Sequence, residues 1–166
     1  MVILGIDPGL NATGFGVIET RAEGVRYLEA GDLRPPRSRP LAERLGFLRE
    51  GLSQLIARRH PHVVVLEKIF THSHYVTTAT LMGHARGVAC VAAQEHGVPV
   101  EEYPTTQVKR SLTGHGHASK EQVARMVAQW LGSVPVPCSA DTADALALAI
   151  VHAHLLSQRA RVPVGA

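Results

Sequence analysis

The fold is decided by residues 2–9, which read Val-Ile-Leu-Gly-Ile-Asp-Pro-Gly. An apolar run that ends in an Asp-Pro-Gly turn is typical of a buried strand. Two more strands are predicted over 13–18 and 25–30. The connections between these strands are short and contain Gly or Asn, which favours antiparallel neighbours. The chain therefore begins with a predicted three-stranded meander.

The segment after the meander predicts a crossover to a parallel strand. Leucines at helical spacing predict an amphipathic helix from Leu41 to about Arg59. Residues 62–67, His-Val-Val-Val-Leu-Glu, are apolar without alternation, as in a central strand that is covered on both faces. Because a helix separates this strand from the meander, we expect it to run parallel to the first strand. A helix over 77–96 and a strand over 98–103 follow.

The remaining segments are helical and complete an α/β domain. Three helices are predicted. The first covers 105–112, the second begins at a capping box formed by Ser119 and Gln122, and the third runs from Ser139 to about Ser157. A ribonuclease H-like five-stranded mixed sheet of order 3-2-1-4-5, with helices on both faces, satisfies every connection. We expect a single domain of this fold over 1–157 and a flexible C-terminal tail over 158–166.

Composition excludes several classes of protein. The 166 residues are 45% apolar and carry a net charge of +3, which excludes disordered and fibrous chains. Cys90 and Cys138 lie far apart and outside any Cys-x-x-Cys, so neither a disulfide framework nor a thiolate zinc site is supported. The first apolar run reaches Asp7 too early for a signal peptide, and no apolar stretch is long enough to span a bilayer. We expect a cytoplasmic protein with no membrane partner.

Four acidic residues are placed where a site could form. Asp7 ends the first strand and Glu67 ends the fourth, so both carboxylates would emerge at one edge of a sheet in which these strands are parallel neighbours. Asp141 and Asp144 are three residues apart at the start of the last helix and share one face. Each acid also has a structural explanation, as a turn residue, a solvated strand end or a favourable charge at a helix N-terminus.

Taken together, the four acids require a counter-charge. Two carboxylates about 5 Å apart repel by roughly 3 kcal/mol at an effective dielectric constant near 20. Four in one cluster would cost about 20 kcal/mol, more than the ~5–15 kcal/mol that stabilises a small domain. Two Mg²⁺ ions would neutralise them, with Mn²⁺ as a substitute. Two ions roughly 4 Å apart would also activate a water and stabilise a leaving oxygen, which predicts two-metal phosphodiester hydrolysis.

Motifs run in order along the chain to about His154. They are Gly-Ile-Asp-Pro-Gly at 5–9, Thr-Gly-Phe-Gly-Val-Ile at 13–18, Glu67 with Phe70, His-Ala-Arg-Gly-Val-Ala at 84–89, Gln-Val-Lys at 107–109, Ser-Lys-Glu-Gln-Val at 119–123 and Ala-Asp-Thr-Ala-Asp-Ala-Leu-Ala at 140–147. Together these motifs resemble the RuvC-type Holliday junction resolvases.

This resemblance implies a ribonuclease H-like fold, a homodimer and Mg²⁺-dependent paired nicking of four-way DNA junctions in recombination and repair. It implies that Asp7, Glu67, Asp141 and Asp144 are the metal-binding catalytic acids, and that RuvA and RuvB are partners that bind and migrate the junction. One position departs from the family, where a Lys or Arg is frequent: this chain has Ser73 between His72 and His74. We expect one of these histidines to replace the basic contact with the DNA strand, so that activity falls as pH rises.

Basic residues of the second half of the chain are predicted to hold DNA. Lys109, Arg110 and Lys120 lie in a segment, 104–126, whose net charge of +3 equals that of the whole chain, and we expect them to contact phosphates. Phe70 is either a core residue or an exposed ring that stacks on an unpaired base, and the resemblance favours stacking.

Two glycines inside the predicted helix 77–96 indicate a close approach of another backbone. Gly83 and Gly87 each cost ~1 kcal/mol relative to alanine in a helix interior. The approach could lie within the chain or between two copies, and the resemblance favours a dimer interface, because a two-fold dimer supplies two cuts to a two-fold junction.

Four other functions compete with this interpretation. Three His-x-His pairs have a spacing that can bind zinc, but no Cys or acid accompanies them at ligand spacing. A kinase-like phosphotransferase with an Asp-x-Gly turn needs two such domains, and 166 residues hold one. A non-catalytic junction-binding module would gain nothing from four acids facing a polyanion. A related nuclease acting on RNA or other branched nucleic acid is disfavoured only by the match along the whole chain. The three pairs are His60 with His62, His72 with His74, and His115 with His117.

Overall fold

The structure, a computed structural model, describes residues 1–68, 76–132 and 139–161. The strands of the described part are β1 (Val2–Asp7), β2 (Thr13–Arg21), β3 (Gly24–Leu33), β4 (Val63–Lys68) and β5 (Val100–Pro104). The helices are α1 (Leu41–Arg59), α2 (Val76–Glu95), α3 (Thr105–Thr113), α4 (Lys120–Trp130) and α5 (Ala140–Arg161).

The strands form one mixed sheet of order β3-β2-β1-β4-β5, which confirms the predicted topology. β1, β2 and β3 are antiparallel neighbours, as the short connections indicated. β4 lies parallel to β1, and β5 lies parallel to β4. The helices α1 and α2 are the crossovers that these parallel pairs require.

Both faces of the sheet are covered, which confirms the prediction of helices on both faces. Leu4 and Leu66 point to a core formed with α1 and α2. Ile3, Val63 and Val65 point to the opposite core, which includes residues of α3, α4 and α5. Successive side chains of a strand point to opposite faces, so a strand covered on both sides is apolar at every position.

The register of the sheet aligns several polar residues at one end. Asp7 of β1 pairs with Gly14 of β2, and Gly14 pairs with Asp32 of β3. On the other side of β1, the last pair joins Ile6 to Leu66, so that Glu67 follows beside Asp7. Residues paired across neighbouring strands share a face. This row of side chains therefore faces α5, at the end where α5 begins.

Small residues allow α5 to lie close to this end of the sheet. A Cβ atom on Gly5 would overlap the backbone oxygen of Ala145, and one on Gly14 would overlap the backbone oxygen of Asp141. Glycine in a strand often marks such a close approach of another backbone. Any larger residue at these two positions would push α5 away from the strands.

Helix α2 is covered on only part of its surface by the described part of the chain. Ala85 and Ala89 are buried against the sheet and α1 side, whereas Leu81 is 40% exposed and Val91 is 52% exposed. A Cβ atom on Gly83, and likewise on Gly87, would meet nothing within 4 Å in the described part of the chain. The expected close approach to these glycines is therefore not made by the described residues of the same chain.

Two element boundaries differ from the sequence prediction. The hairpin pairing of β2 and β3 continues to Arg21 and Gly24, well past the predicted end of the second strand at residue 18. Helix α5 continues to Arg161 instead of ending at about Ser157, so residues 158–161 are helical. The rest of the predicted tail, 162–166, lies outside the described residues. In the described part of the chain, no helix has the length and apolar character needed to cross a membrane.

Candidate active site

The four acids predicted from the sequence lie on three elements that meet at one edge of the sheet. Asp7 is the last residue of β1, and Glu67 is the second-last residue of β4. Asp141 and Asp144 lie in the first turns of α5. The close approach of α5 to Gly14 of β2 brings its first turns to the end of the sheet where β1 and β4 stop.

The electrostatics of Asp7 show that the other three acids act on this carboxyl. The pKa of Asp7 is raised from 3.8 to about 7, first because the carboxyl is withdrawn from water. The negative charges of Asp144, Glu67 and Asp141, in that order, raise it further. Desolvation and like charges both disfavour the ionised form of a carboxyl. Asp7 is thus the acid whose protonation is affected by the charges of the other three.

Two neighbouring side chains hold members of the cluster. The Thr105 hydroxyl, at the start of α3, donates a hydrogen bond to Glu67 Oε1. Lys120 Nζ, at the start of α4, donates to Asp144 Oδ2 over 3.2 Å, and this hydrogen bond and the Asp144 charge raise the pKa of Lys120. These four residues, together with Lys109, line a cleft of about 230 Å³.

The donor set fits hard divalent cations in its chemistry. Carboxylate oxygens are the ligands that Mg²⁺ takes from proteins, and the raised pKa of Asp7 reports negative charge that a cation would relieve. Among the described residues, however, no three His, Cys, Asp or Glu side chains are arranged to hold one ion. Glu67 and Asp144 would first have to turn from Thr105 and Lys120 toward Asp7. The residues therefore fit a metal site whose ligand geometry is not preformed.

The residues predicted to bind DNA are only partly within the described structure. Lys109 is partly buried and Lys120 is exposed, and both line the acidic cleft. Arg110 is exposed on α3, next to Lys109. Phe70, His72 and His74 lie outside the described residues, as does Ser73.

The first of the described histidine pairs, His60 with His62, has structural contacts. His60 is the left-handed C-cap of α1, and its backbone N–H donates to the Ile56 carbonyl. His62 Nδ1 accepts a hydrogen bond from the Val2 backbone N–H over 3.0 Å. The described histidines do not join any group of three or more His, Cys, Asp and Glu that could bind a metal, and the pair at 72 and 74 is outside that search.

Two residues of this region were not singled out from the sequence. Thr105 directly follows the last strand and contacts Glu67. Asp32, near the end of β3, accepts hydrogen bonds from Ser139 and Thr142 at the start of α5. The sequence does contain one signal for Asp32: it is one of only four aspartates in 166 residues.

Comparison with known proteins gives one consistent family. The family model described as crossover junction endodeoxyribonuclease RuvC matches residues 3–152. A protein of that name from Rhodopirellula baltica is 46% identical over 148 residues, which are 89% of this chain and 83% of the relative. Another, from Chromohalobacter salexigens, is 42% identical over 162 residues, which are 98% of this chain and 86% of the relative.

Solved structures agree with the sequence comparison. The structure of Thermus thermophilus RuvC is 38% identical, with a TM-score of 0.87 over 96% of this chain and 97% of that one. The structure of T. thermophilus RuvC in complex with a Holliday junction substrate has a TM-score of 0.89 over 96% of both chains. The yeast mitochondrial resolvase Ydc2, at 10% identity and a TM-score of 0.65, shares the fold.

Proposed function

The chain belongs to the RuvC family of crossover junction endodeoxyribonucleases, and we propose that it resolves four-way DNA junctions by paired symmetric nicks in recombination and repair. One observation carries this proposal. Acids from opposite ends of the chain, Asp7 and Asp144 among them, interact at one edge of the sheet, where burial first and the charges of the other three acids next raise the pKa of Asp7 to about 7. Such a site suits a reaction that uses bound cations to attack a phosphodiester.

The proposal assigns the metal site to Asp7, Glu67, Asp141 and Asp144, with two Mg²⁺ ions per site and Mn²⁺ as a substitute. Divalent ions bound there would activate a water and stabilise the leaving oxygen of the phosphodiester. The four carboxylates would hold these ions against the scissile phosphate, and the burial of Asp7 would limit the approach of other water. Because the pKa of Asp7 is raised, this carboxyl must lose a proton when it becomes a ligand.

Lys109, Arg110 and Lys120 are assigned to the phosphates of the junction arms. Lys109 and Lys120 line the same cleft as Glu67 and Asp144, so a strand held by the lysines would pass the acids. Arg110 extends the basic surface along α3. The stacking role of Phe70 and the contacts of His72 and His74 stay predictions from the sequence.

The exposed face of α2 is proposed as the interface of a homodimer. Val91 is exposed and lies at i+4 from Gly87 and i+8 from Gly83, so the three share a face, and the surface at the two glycines is open to a second backbone. A two-fold dimer would present two active sites to the two strands that a junction exchanges. Val91→Asp is therefore expected to shift sedimentation equilibrium to monomer, whereas Phe47→Asp, at an exposed position of α1, is not. An unshifted equilibrium for Val91→Asp would move the interface elsewhere.

Membership of the family also supports RuvA and RuvB, the proteins that bind and migrate junctions, as partners, and the cytoplasm as the compartment. A pull-down with purified RuvA–junction complex tests the partner proposal. If RuvA retains this protein only when the junction is present, the DNA and not a protein–protein contact joins the two.

Cleavage of defined substrates tests the function. An end-labelled four-way junction, the matching linear duplex and an RNA–DNA hybrid are incubated with the protein in Mg²⁺ or in EDTA. We expect symmetric nicks in opposed strands of the junction alone, lost in EDTA and in Asp7→Asn, and kept in the exposed-acid control Glu43→Gln. Equal cutting of all duplexes, or preferential cutting of the hybrid, would contradict the proposal and favour a related nuclease with another substrate.

A further inference from the structure

Asp32, outside the set of four acids, is the centre of a hydrogen-bond network. Its Oδ1 accepts from the Ser139 hydroxyl over 2.7 Å and from the Thr142 hydroxyl over 2.8 Å. Its Oδ2 accepts from Arg34 over 2.7 Å. The carboxylate side chain is only 14% exposed, and these partners satisfy both of its oxygens.

The network reaches the turn of α5 that carries two of the proposed metal ligands. Ser139 caps the helix, because its Oγ accepts from the Thr142 backbone N–H over 3.0 Å. Asp141 lies between the two hydroxyl-bearing residues, and Asp144 follows on the same face. Thr142 is 1% exposed, so its hydroxyl has no alternative partner in water. Asp32 thus holds the first turn of α5 through these two hydroxyl groups.

The same carboxylate belongs to the sheet row that contains Asp7. Asp32 pairs with Gly14, and Gly14 pairs with Asp7. The charges of Asp141 and Asp144 repel that of Asp7, so repulsion within the cluster pushes the start of α5 away from β1. The hydrogen bonds from Ser139 and Thr142 to Asp32 oppose this movement. The network therefore sets the distance between ligands that the chain brings together from its two ends.

We propose that Asp32 is a positioning residue: through the hydroxyls of Ser139 and Thr142 it sets where Asp141 and Asp144 stand relative to Asp7, and so sets the divalent-ion affinity of the site. The inference rests on the proposed function, because it takes these acids to be metal ligands. Asp32 itself would contact neither the metal ions nor the DNA.

Mn²⁺ binding, measured by electron paramagnetic resonance without DNA, tests the inference. Asp32→Ala removes both acceptor bonds, and we expect the Mn²⁺ concentration for half-saturation to rise about tenfold, the lower end of the usual effect of residues that orient metal ligands. Asp32→Asn keeps an oxygen at Oδ1 and is expected to bind Mn²⁺ within about twofold of the wild type, by the same reasoning. Junction cleavage at saturating Mn²⁺ should show an unchanged KM for DNA.

A matched control separates positioning from stability. Glu29 lies on the same strand and ties it to α1 through Arg58 and Arg59, at 2.8 Å and 2.6 Å. Glu29→Ala should lower the unfolding temperature but leave Mn²⁺ affinity unchanged. Should Asp32→Ala fail to fold, Thr142→Val and Thr142→Ser form the second pair, and only the valine variant should bind Mn²⁺ more weakly.

The outcomes distinguish this inference from the function on which it rests. If the wild type binds no Mn²⁺, or Asp7→Asn binds it equally well, the metal site itself is wrong. If the wild type binds Mn²⁺ and Asp32→Ala binds it with unchanged affinity, the positioning role is wrong while the proposed function stands. Equal weakening in Asp32→Asn and Asp32→Ala would also overturn it, since charge and not hydrogen bonding would then set the affinity.

Discussion

Lys120 Nζ lies 3.2 Å from Asp144 Oδ2, so a side chain predicted to contact DNA is the counter-charge of a side chain predicted to bind metal. The lysine is 70% exposed and within reach of a phosphate, and both it and Asp144 line the same cleft. The two roles are therefore coupled. A divalent ion that took Asp144 as a ligand would release the ammonium group of Lys120 to contact DNA.

This coupling predicts different salt dependences for two lysines of the cleft. Lys109→Ala should flatten the slope of log K against log[salt] for junction binding by about 0.9 in both EDTA and Ca²⁺, as for the loss of one phosphate contact. Lys120→Ala should flatten it only in Ca²⁺, because in EDTA the lysine is already neutralised by Asp144. Arg21→Ala, at the far end of β2, is the control. Equal slopes for Lys109→Ala and wild type would remove that residue from the DNA interface.

The raised pKa of Asp7 predicts an unusual pH dependence of stability. The folded protein holds the Asp7 proton up to about pH 7, whereas the unfolded chain releases it near 3.8. Without divalent ions, the free energy of unfolding should therefore fall as pH rises from about 4 to 7, by at most about 4 kcal/mol. Asp7→Asn, which is neutral at every pH, should lose this dependence and be the more stable protein at pH 8, although inactive.

Urea unfolding in EDTA at pH 5, 6, 7 and 8 measures this effect. Glu43→Gln, which changes an exposed acid of α1, should retain the slope of the wild type. A variant Asp7→Asn that is less stable than the wild type at pH 8, or that keeps the same slope, would show that the cluster does not strain the fold.

The close approach of α5 to β2 predicts opposite effects of two Gly→Ala changes. At Gly14 the added methyl group would overlap the Asp141 backbone. We therefore expect the free energy of unfolding to fall by about 1–3 kcal/mol and Mn²⁺ binding to weaken. At Gly46, on α1, the methyl group meets nothing within 4 Å and should stabilise the helix by up to ~1 kcal/mol. Thermal unfolding measures both. A neutral Gly14→Ala would mean that α5 lies farther from the sheet.

A buried pair joins α5 to β5 behind the site and predicts sensitivity to acid. The Tyr103 hydroxyl and His152 Nδ1 lie 2.8 Å apart, and burial lowers the pKa of His152 despite the opposing charge of Glu101. A histidine whose folded pKa is depressed contributes stability above its ordinary value of 6.5 and loses it as pH falls below that value.

We therefore expect the unfolding midpoint of the wild type to drop through His152 as the pH falls below 6.5. His152→Gln should reduce this drop. Tyr103→Phe, which leaves Nδ1 without its partner, should cost ~1–3 kcal/mol at pH 8. An unchanged midpoint in Tyr103→Phe would show that the hydrogen bond adds no stability.

The topology and the placement of the four acids at one edge of the sheet could be predicted from the sequence because each leaves a local signal. The unalternating run at 62–67 indicated a strand covered on both faces, and the structure places β4 between β1 and β5. Asp7 and Glu67 follow strands whose parallel pairing was implied by an intervening helix. The sequence indicates where each strand ends, so it also predicts where in the sheet a residue at that end lies.

Contacts between distant side chains leave no such signal. The bond from Ser139 to Asp32 spans 107 positions and depends on the register of β3, which no motif reports. The pairing of Lys120 with Asp144 depends in the same way on how α4 packs against α5. These features required the assembled fold.

Mn²⁺ binding to the wild type and to Asp7→Asn, Glu67→Gln, Asp141→Asn and Asp144→Asn tests most directly whether the four acids form one metal site. We expect two ions per chain for the wild type and for Glu43→Gln, and weaker or fewer ions for every one of the four variants. Four variants that bind Mn²⁺ with the stoichiometry and affinity of the wild type would contradict it.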